Sequence, residues 1–147
     1  MRLAITLSFL LVLGACGGGA AAAVGKWSLD ANAMADMMLK AQAADLAKLP
    51  AEERAKTETQ MREMSKAMKA DLTVNADNTF TVHMDMGPMH SEVKGTWKAD
   101  GNKLTMTGKE VGKEKEDTMI GTLVGDVLTC EGGEGAEKMT MTFVRAK

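Results

Sequence analysis

The chain has 147 residues and a formal net charge of −2, with 18 basic and 20 acidic residues interspersed along it. Because nucleic-acid binding needs a basic surface, this balance excludes nucleic acid as a partner. The chain has 14 methionines and no tyrosine, which predicts a core in which flexible thioether side chains take up aromatic volume.

The N-terminal residues 1–15 predict a secretory signal peptide. Arg2 is followed by an apolar run from Leu3 to Leu13, which is too short to span a bilayer. The following Leu-Gly-Ala-Cys sequence, which ends at Cys16, resembles the lipobox of bacterial lipoproteins. In that family the cysteine carries diacylglycerol and the signal is cut just before it. The resemblance implies lipidation of Cys16, whereas the alternative is an ordinary signal peptide that ends near a cysteine.

The residue after the lipobox bears on location. Gly17 stands where an aspartate retains lipoproteins at the inner membrane in enteric-type sorting. The resemblance therefore implies a lipid anchor in the outer membrane, with the domain facing the periplasm. The Gly- and Ala-rich residues 16–24 are expected to form a flexible tether, and residues 25–147 a single domain.

The domain begins with a predicted strand around Trp27, followed by helix formers. A helical hairpin is predicted over about residues 31–70, with Asp30 or Asn32 as the first N-cap and Pro50 opening the second helix. Each helix carries methionines at helical spacing, and both stripes are expected to face an apolar surface. They are Met34, Met37 and Met38 on the first helix and Met61, Met64 and Met68 on the second. These stripes are interpreted as core, with a groove for a partner protein as the alternative.

From Asp71 the apolar pattern has a period of two, which predicts a β meander over about residues 71–145. We count six short strands there and a seventh near Trp27. Such a meander must curl or close to hide its inner face. The predicted fold is therefore mainly β (α+β), a small antiparallel barrel or half-barrel whose helical hairpin covers one opening or one face.

Several turn and core motifs together resemble the lipocalin-like small lipoproteins of bacteria. They are Gly25-Lys26-Trp27, the turn at residues 76–80, Gly95-Thr96-Trp97, residues 101–105 and a closing Met-Thr-Phe. The resemblance covers nearly all of the mature chain and implies a lipocalin-like barrel. It carries no catalytic residue, and it leaves the function open.

Chemistry is suggested at residues 83–90, His-Met-Asp-Met-Gly-Pro-Met-His. A hairpin tip at Gly87-Pro88 sets Val82 opposite Val93, because this register keeps the apolar residues of both strands on one face. The side chains expected to point inward are Phe80, Val82, Met84, Met86, Met89 and Val93. Those expected to point outward are His83, Asp85, His90 and Glu92.

The outward side chains form a candidate metal site, because two imidazoles and two carboxylates suit zinc or Cu(II). Ordinary cross-strand charge pairs are the alternative and the favoured interpretation. A Cu(I) site of Met86, Met89 and His90 would require a frayed tip, since a regular strand separates thioethers from imidazoles. Cys130 is interpreted as a buried apolar residue, with a thiol ligand for a soft metal as the alternative.

No phosphate-binding loop, nucleophile elbow, His-Glu-x-x-His or Cys-x-x-Cys motif occurs in the sequence. We therefore expect a binding or interaction module of the cell envelope, neither an enzyme nor dependent on a cofactor. Its partner is expected to be a small apolar ligand in the barrel mouth or an envelope protein on the helical hairpin. Metal binding or sequestration through the hairpin between His83 and His90 is the alternative.

Overall fold

The computed structural model describes residues 18–133 and 139–147. Its helices are α1 (Gly18–Ala23), α2 (Ala31–Ala41), α3 (Ala43–Leu46) and α4 (Ala51–Ala67). Its strands are β1 (Gly25–Leu29), β2 (Lys69–Val74), β3 (Thr79–Met86), β4 (Met89–Asp100), β5 (Lys103–Glu110), β6 (Glu116–Val124), β7 (Val127–Gly132) and β8 (Met139–Arg145). None of the described helices has the length and apolar character needed to cross a bilayer.

The eight strands form a closed antiparallel barrel in which each strand pairs with the next in sequence and β8 pairs with β1. Closure gives every strand two hydrogen-bonded neighbours, so that the sheet has no exposed edge. The predicted barrel with a helical hairpin after the first strand is confirmed. The predicted strand count was one too low, because tight turns divide the segment after α4 into seven strands.

The core lies inside the barrel and follows the period-two pattern of the strands. Trp27, Phe80, Phe143, Leu104 and Met106 are among its largest fully buried side chains. β4 and β5 approach each other closely at one point of the wall, where Gly95 and Gly108 lie directly opposite each other. A β-carbon added at Gly108 would lie 2.9 Å from the Phe80 ring, so glycine leaves the room that this ring occupies.

The helical hairpin connects β1 to β2. The predicted N-cap is confirmed at Asp30, whose side chain accepts hydrogen bonds from the backbone N–H groups of Asn32 and Ala33. Pro50 is the N-cap of α4 rather than its first helical residue. The two helices are joined by an ion pair in which Arg62 Nη1 lies 3.0 Å from Asp36 Oδ1.

The methionine stripe predicted on the second helix is only partly correct. Met61 is buried and contributes to the hairpin interface, whereas the side chain of Met64 is 51% exposed. Met68 lies beyond the end of α4, in extended backbone that leads into β2. The helix ends earlier than predicted because Met68 begins the alternating pattern of the strand.

Where the sequence predicts a flexible tether, residues 18–23 form the helix α1. Alanine has the highest helix propensity, and α1 gains tertiary contacts because Ala23 is fully buried against the barrel. The Trp27 indole donates a 2.9 Å hydrogen bond to the Ala23 carbonyl, which holds α1 across one end of the barrel. The predicted signal peptide and Cys16 lie outside the described residues.

Candidate functional site

A cavity of about 490 Å³ opens at the end of the barrel where β3 runs into β4. Its lining comes from β3 to β8 and two adjoining loops. The lining residues are Phe80, Val82, Met84, Met86, Val93, Gly108, Glu110, Lys115, Asp117, Met119, Gly132, Gly133, Met139 and Met141. The cavity lies within the size range of sites that take small organic molecules.

The wall of the cavity follows from strand alternation. On β3 the side chains of Val82, Met84 and Met86 point inward in succession, with Val82 fully buried and the two methionines partly exposed. On β8, Met141 is 9% exposed and Met139 is 45% exposed, so exposure rises toward the opening. The cavity is therefore deep, apolar and rich in methionine, which is a flexible side chain that adapts to irregular shapes.

The opposite end of the barrel is closed. Trp27, Leu104 and Leu128 fill its interior, and α1 lies across it. Arg145 adds polar contacts at this end. Its guanidinium lies 4.3 Å from the Trp27 ring centroid, and its Nε lies 2.9 Å from Asp126 Oδ1. A ligand of the described cavity would therefore enter from the end where the helical hairpin is connected.

Among the described residues, the rim of the cavity carries three ionisable side chains, Glu110, Lys115 and Asp117. Lys115 Nζ lies 3.2 Å from Asp117 Oδ1. Glu110 Oε2 lies 2.5 Å from the ammonium of Lys113, which does not line the cavity. The lining itself therefore holds two carboxylates and one ammonium.

The structure places the predicted hairpin at residues 83–90 in the expected register. Val82 lies opposite Val93, Asp85 opposite His90 and His83 opposite Glu92. The side chains of Phe80, Val82, Met84, Met86 and Val93 line the cavity as predicted. Met89 was predicted to point inward, but it is 66% exposed because it follows the turn directly, beyond the part of the hairpin that encloses the cavity.

The outward cluster of the same hairpin consists of side-chain pairs. His90 Nδ1 contacts Asp85 Oδ1, and His83 Nε2 lies 3.2 Å from Glu92 Oε1. Glu92 also accepts a 2.8 Å contact from Lys94, and this hydrogen bond is the main reason why the pKa of Glu92 is lowered. The cluster is exposed and borders a shallow depression on the outer face of the barrel.

The metal interpretation gains no support from this geometry. Within residues 18–133 and 139–147, no group of three or more His, Cys, Asp or Glu side chains is arranged to hold a metal ion. The hairpin has regular strands up to Met86 and from Met89, so the frayed tip required for a Cu(I) site is not observed. Met86 lines the cavity, whereas His90 lies on the outer face.

Cys130 lies in the core, as its alternation with Leu128 predicted, and is 1% exposed. Burial without a compensating positive charge raises the pKa of its thiol from 9.0 to about 12. The side chain is therefore a neutral thiol over the whole physiological range. It packs among apolar neighbours next to Met141, its direct partner on β8.

Sequence reasoning predicted the inward side chains of the β3–β4 hairpin that line the cavity, but it did not identify the charged rim. Glu110 is the last residue of β5, Lys115 lies in the charged loop that follows, and Asp117 and Met119 lie on β6. The sequence does hold one signal for the cavity, because methionines occur at the same end of several predicted strands. Five of the fourteen described lining residues are methionines, so the cavity concentrates this residue type.

The fold and the cavity together define a lipocalin-like barrel, that is, an eight-stranded up-and-down barrel open at one end. Among solved structures, the chain is similar to a REP1-NXSQ fatty acid transporter, with 13% identity over 84% of this chain and 96% of that one, and a TM-score of 0.42. It is also similar to wild-type fluorescent protein UnaG, with 15% identity, the same shares of 84% and 96%, and a TM-score of 0.40. No protein-family model matches the chain, and no curated protein matches it.

Proposed function

We propose that this protein is a non-catalytic binding module that takes a small apolar ligand into the open end of its barrel. The observation that carries this proposal is the methionine-lined cavity of about 490 Å³. Its deep residues Phe80 and Val82 are 1% exposed, so a ligand there would be removed from water almost completely. Burial of apolar surface supplies about 25 cal/mol per Å², which supports binding without any strong polar contact.

The proposal includes the location of the protein. The resemblance of residues 13–16 to a lipobox supports a lipid anchor at Cys16, in the outer membrane and facing the periplasm. Mass spectrometry of the mature protein tests the anchor. An acylated cysteine at the N-terminus is the expected result, and an intact Met1 terminus or an unmodified Cys16 would contradict it.

Ligand uptake is tested with two substitutions at neighbouring positions of β4. Val93 lines the cavity, whereas the side chain of Lys94 is exposed on the outer face. Val93→Trp is expected to fill part of the cavity and weaken binding of a neutral fluorescent apolar probe at least ~10-fold, since a tenfold loss corresponds to only ~1.4 kcal/mol. Lys94→Trp adds the same side chain outside the barrel and is expected to leave probe binding unchanged.

Two results would contradict the proposal. One is the absence of probe binding by the unsubstituted protein. The other is an equal loss of binding in both variants while circular dichroism shows that both are folded, because this would place the probe outside the cavity.

A further inference from the structure

In the part of the chain that the structure describes, the inner wall of the cavity offers a ligand neither a charge nor a side-chain hydrogen-bond donor. Below the rim its lining consists of aliphatic, thioether, phenyl and glycine residues. The described buried side-chain nitrogen and oxygen atoms are all hydrogen-bonded within the protein, so none is left aimed into the space. A carboxylate drawn into this wall would lose its hydration without gaining a partner, which costs several kcal/mol.

The strong side-chain donors at the closed end of the barrel are engaged there and do not reach the cavity. Arg145 is bound to Asp126 and stacked on Trp27. The indole of Trp27 donates to the Ala23 carbonyl, and the indole of Trp97 donates to the Asn75 carbonyl at 2.9 Å. These groups close the barrel, and the filled core separates them from the cavity.

The charges at the rim also disfavour a carboxylate. Glu110 and Asp117 contribute two negative charges to the lining, and Lys115 contributes one positive charge. The ammonium of Lys115 lies 3.2 Å from Asp117, so a ligand carboxylate approaching it would also meet that aspartate. Glu110 is paired with Lys113, but Lys113 lies outside the lining. The described lining therefore presents two carboxylates and an ammonium that is paired with Asp117, and this favours a neutral or positive head group over a negative one.

We propose that the cavity selects elongated apolar molecules whose head group is neutral or cationic, and that it discriminates against carboxylates. This inference rests on the proposed function and names its ligand class. The apolar chain lies along the methionines between Val82 and Met139, and the head group lies at the rim beside Glu110 and Asp117. The flexible thioethers let the wall adapt to chains of different shape.

The experiment compares three ligands with the same ten-carbon chain, using the full-length protein at pH 8. Decanoic acid, 1-decanol and decylamine, each below its micelle concentration, compete with a bound neutral fluorescent probe. The alcohol and the amine are expected to displace the probe at concentrations roughly 10-fold lower than the acid, since one unfavourable charge contact near water is worth about 1 kcal/mol or more.

Rim variants show whether the discrimination arises where the structure places it. Glu110→Gln and Asp117→Asn are each expected to strengthen binding of decanoic acid several-fold and to weaken binding of decylamine, while decanol is unaffected. Opposite changes for the two charged ligands separate an electrostatic effect from a general loss of structure. Asp100→Asn, at the turn between β4 and β5 on the closed end, is the matched control and is expected to change none of the three affinities.

The possible failures are distinguishable. Binding of decanoic acid as tight as that of decanol would overturn the inference and leave the proposed function in place. Rim variants that shift the acid and the amine in the same direction would also overturn it. If the probe and all three ligands fail to bind, the proposed function itself is wrong.

Discussion

At the scale of single residues, Cys130 shows how burial sets chemistry. Its thiol is 1% exposed, and its pKa is raised to about 12 because the thiolate would be formed in an apolar interior. The folded chain therefore holds this proton more tightly than the unfolded chain, in which the pKa is near 9.0. The stabilisation is fully present below the unfolded pKa and is lost as the pH rises toward the folded one.

We therefore predict that the free energy of unfolding falls above pH 9 by up to about 1.4 kcal/mol per pH unit through this residue. Cys130→Ala should lack this component, and the cost of the packing that it loses does not depend on pH. Urea unfolding of both proteins between pH 7 and pH 10.5 measures the difference. Parallel curves over the whole range would show that the thiol is not buried as described.

Gly95 is a second residue whose role depends on its neighbours. A β-carbon added there would lie 2.0 Å from the Thr107 carbonyl oxygen and 2.4 Å from Gly108 Cα. Gly95→Ala must therefore push β4 and β5 apart, and we predict a loss of about 2–3 kcal/mol in the free energy of unfolding. Thr96→Ala, next to it on the exposed face, should cost less than about 1 kcal/mol. Denaturant unfolding of both variants provides the comparison. A similar cost for the two would contradict the close approach of β4 and β5 at Gly95.

At the scale of elements, α4 carries two methionines in different environments. Met61 is 8% exposed and Met64 is 51% exposed. We predict that Met61→Ala lowers the free energy of unfolding by about 2–3 kcal/mol, because a buried methionine leaves a cavity. Met64→Ala should change it by less than about 0.5 kcal/mol. Thermal or urea unfolding measures both, and a large cost for Met64→Ala would mean that another surface covers this residue.

The same pair shows what periodicity predicts and what it does not. Helical spacing in the sequence correctly indicated a hairpin between β1 and β2, since the pattern belongs to the helix itself. Which methionines are covered depends on how α2 and α4 pack. The two helices are joined by the ion pair of Asp36 with Arg62, and Met61 is buried whereas Met64 is exposed. The packing angle depends on both helices, so the residue pattern of one helix does not predict it.

The register of the β3–β4 hairpin was predicted correctly, because the residue patterns of its two strands fix their pairing. A slip of one residue would have moved Val82 and Val93 to opposite faces, so the apolar pattern allowed only one pairing. The cavity was not predictable in this way, because its lining comes from six strands and from two loops, one of which holds Lys115. Which strand ends meet at one opening is fixed by closure of the whole barrel, and no local pattern encodes it.

At the scale of the whole molecule, the two ends of the barrel differ. The helix α1 lies at the closed end, where a β-carbon at Gly19 would come within 1.6 Å of the Gly101 carbonyl oxygen. The cavity opens at the opposite end, near the loop that carries Val111. If Cys16 is lipidated as proposed, only Gly17 separates it in sequence from α1, so the anchor holds the closed end near the bilayer. The cavity then opens away from the membrane, and its ligand is exchanged with the aqueous side.

This orientation is tested with fluorophores attached to single cysteines at the two ends of the lipidated protein. Asn102→Cys lies at the turn beside α1, and Val111→Cys lies at the open end, where the native side chain is 59% exposed. The native Cys130 does not interfere, since its buried neutral thiol is protected from labelling reagents. In vesicles that contain lipids with a quencher near the head group, the fluorophore at residue 102 should be quenched more strongly than the one at residue 111. Equal quenching would contradict the orientation, and stronger quenching at residue 111 would mean that the cavity faces the bilayer.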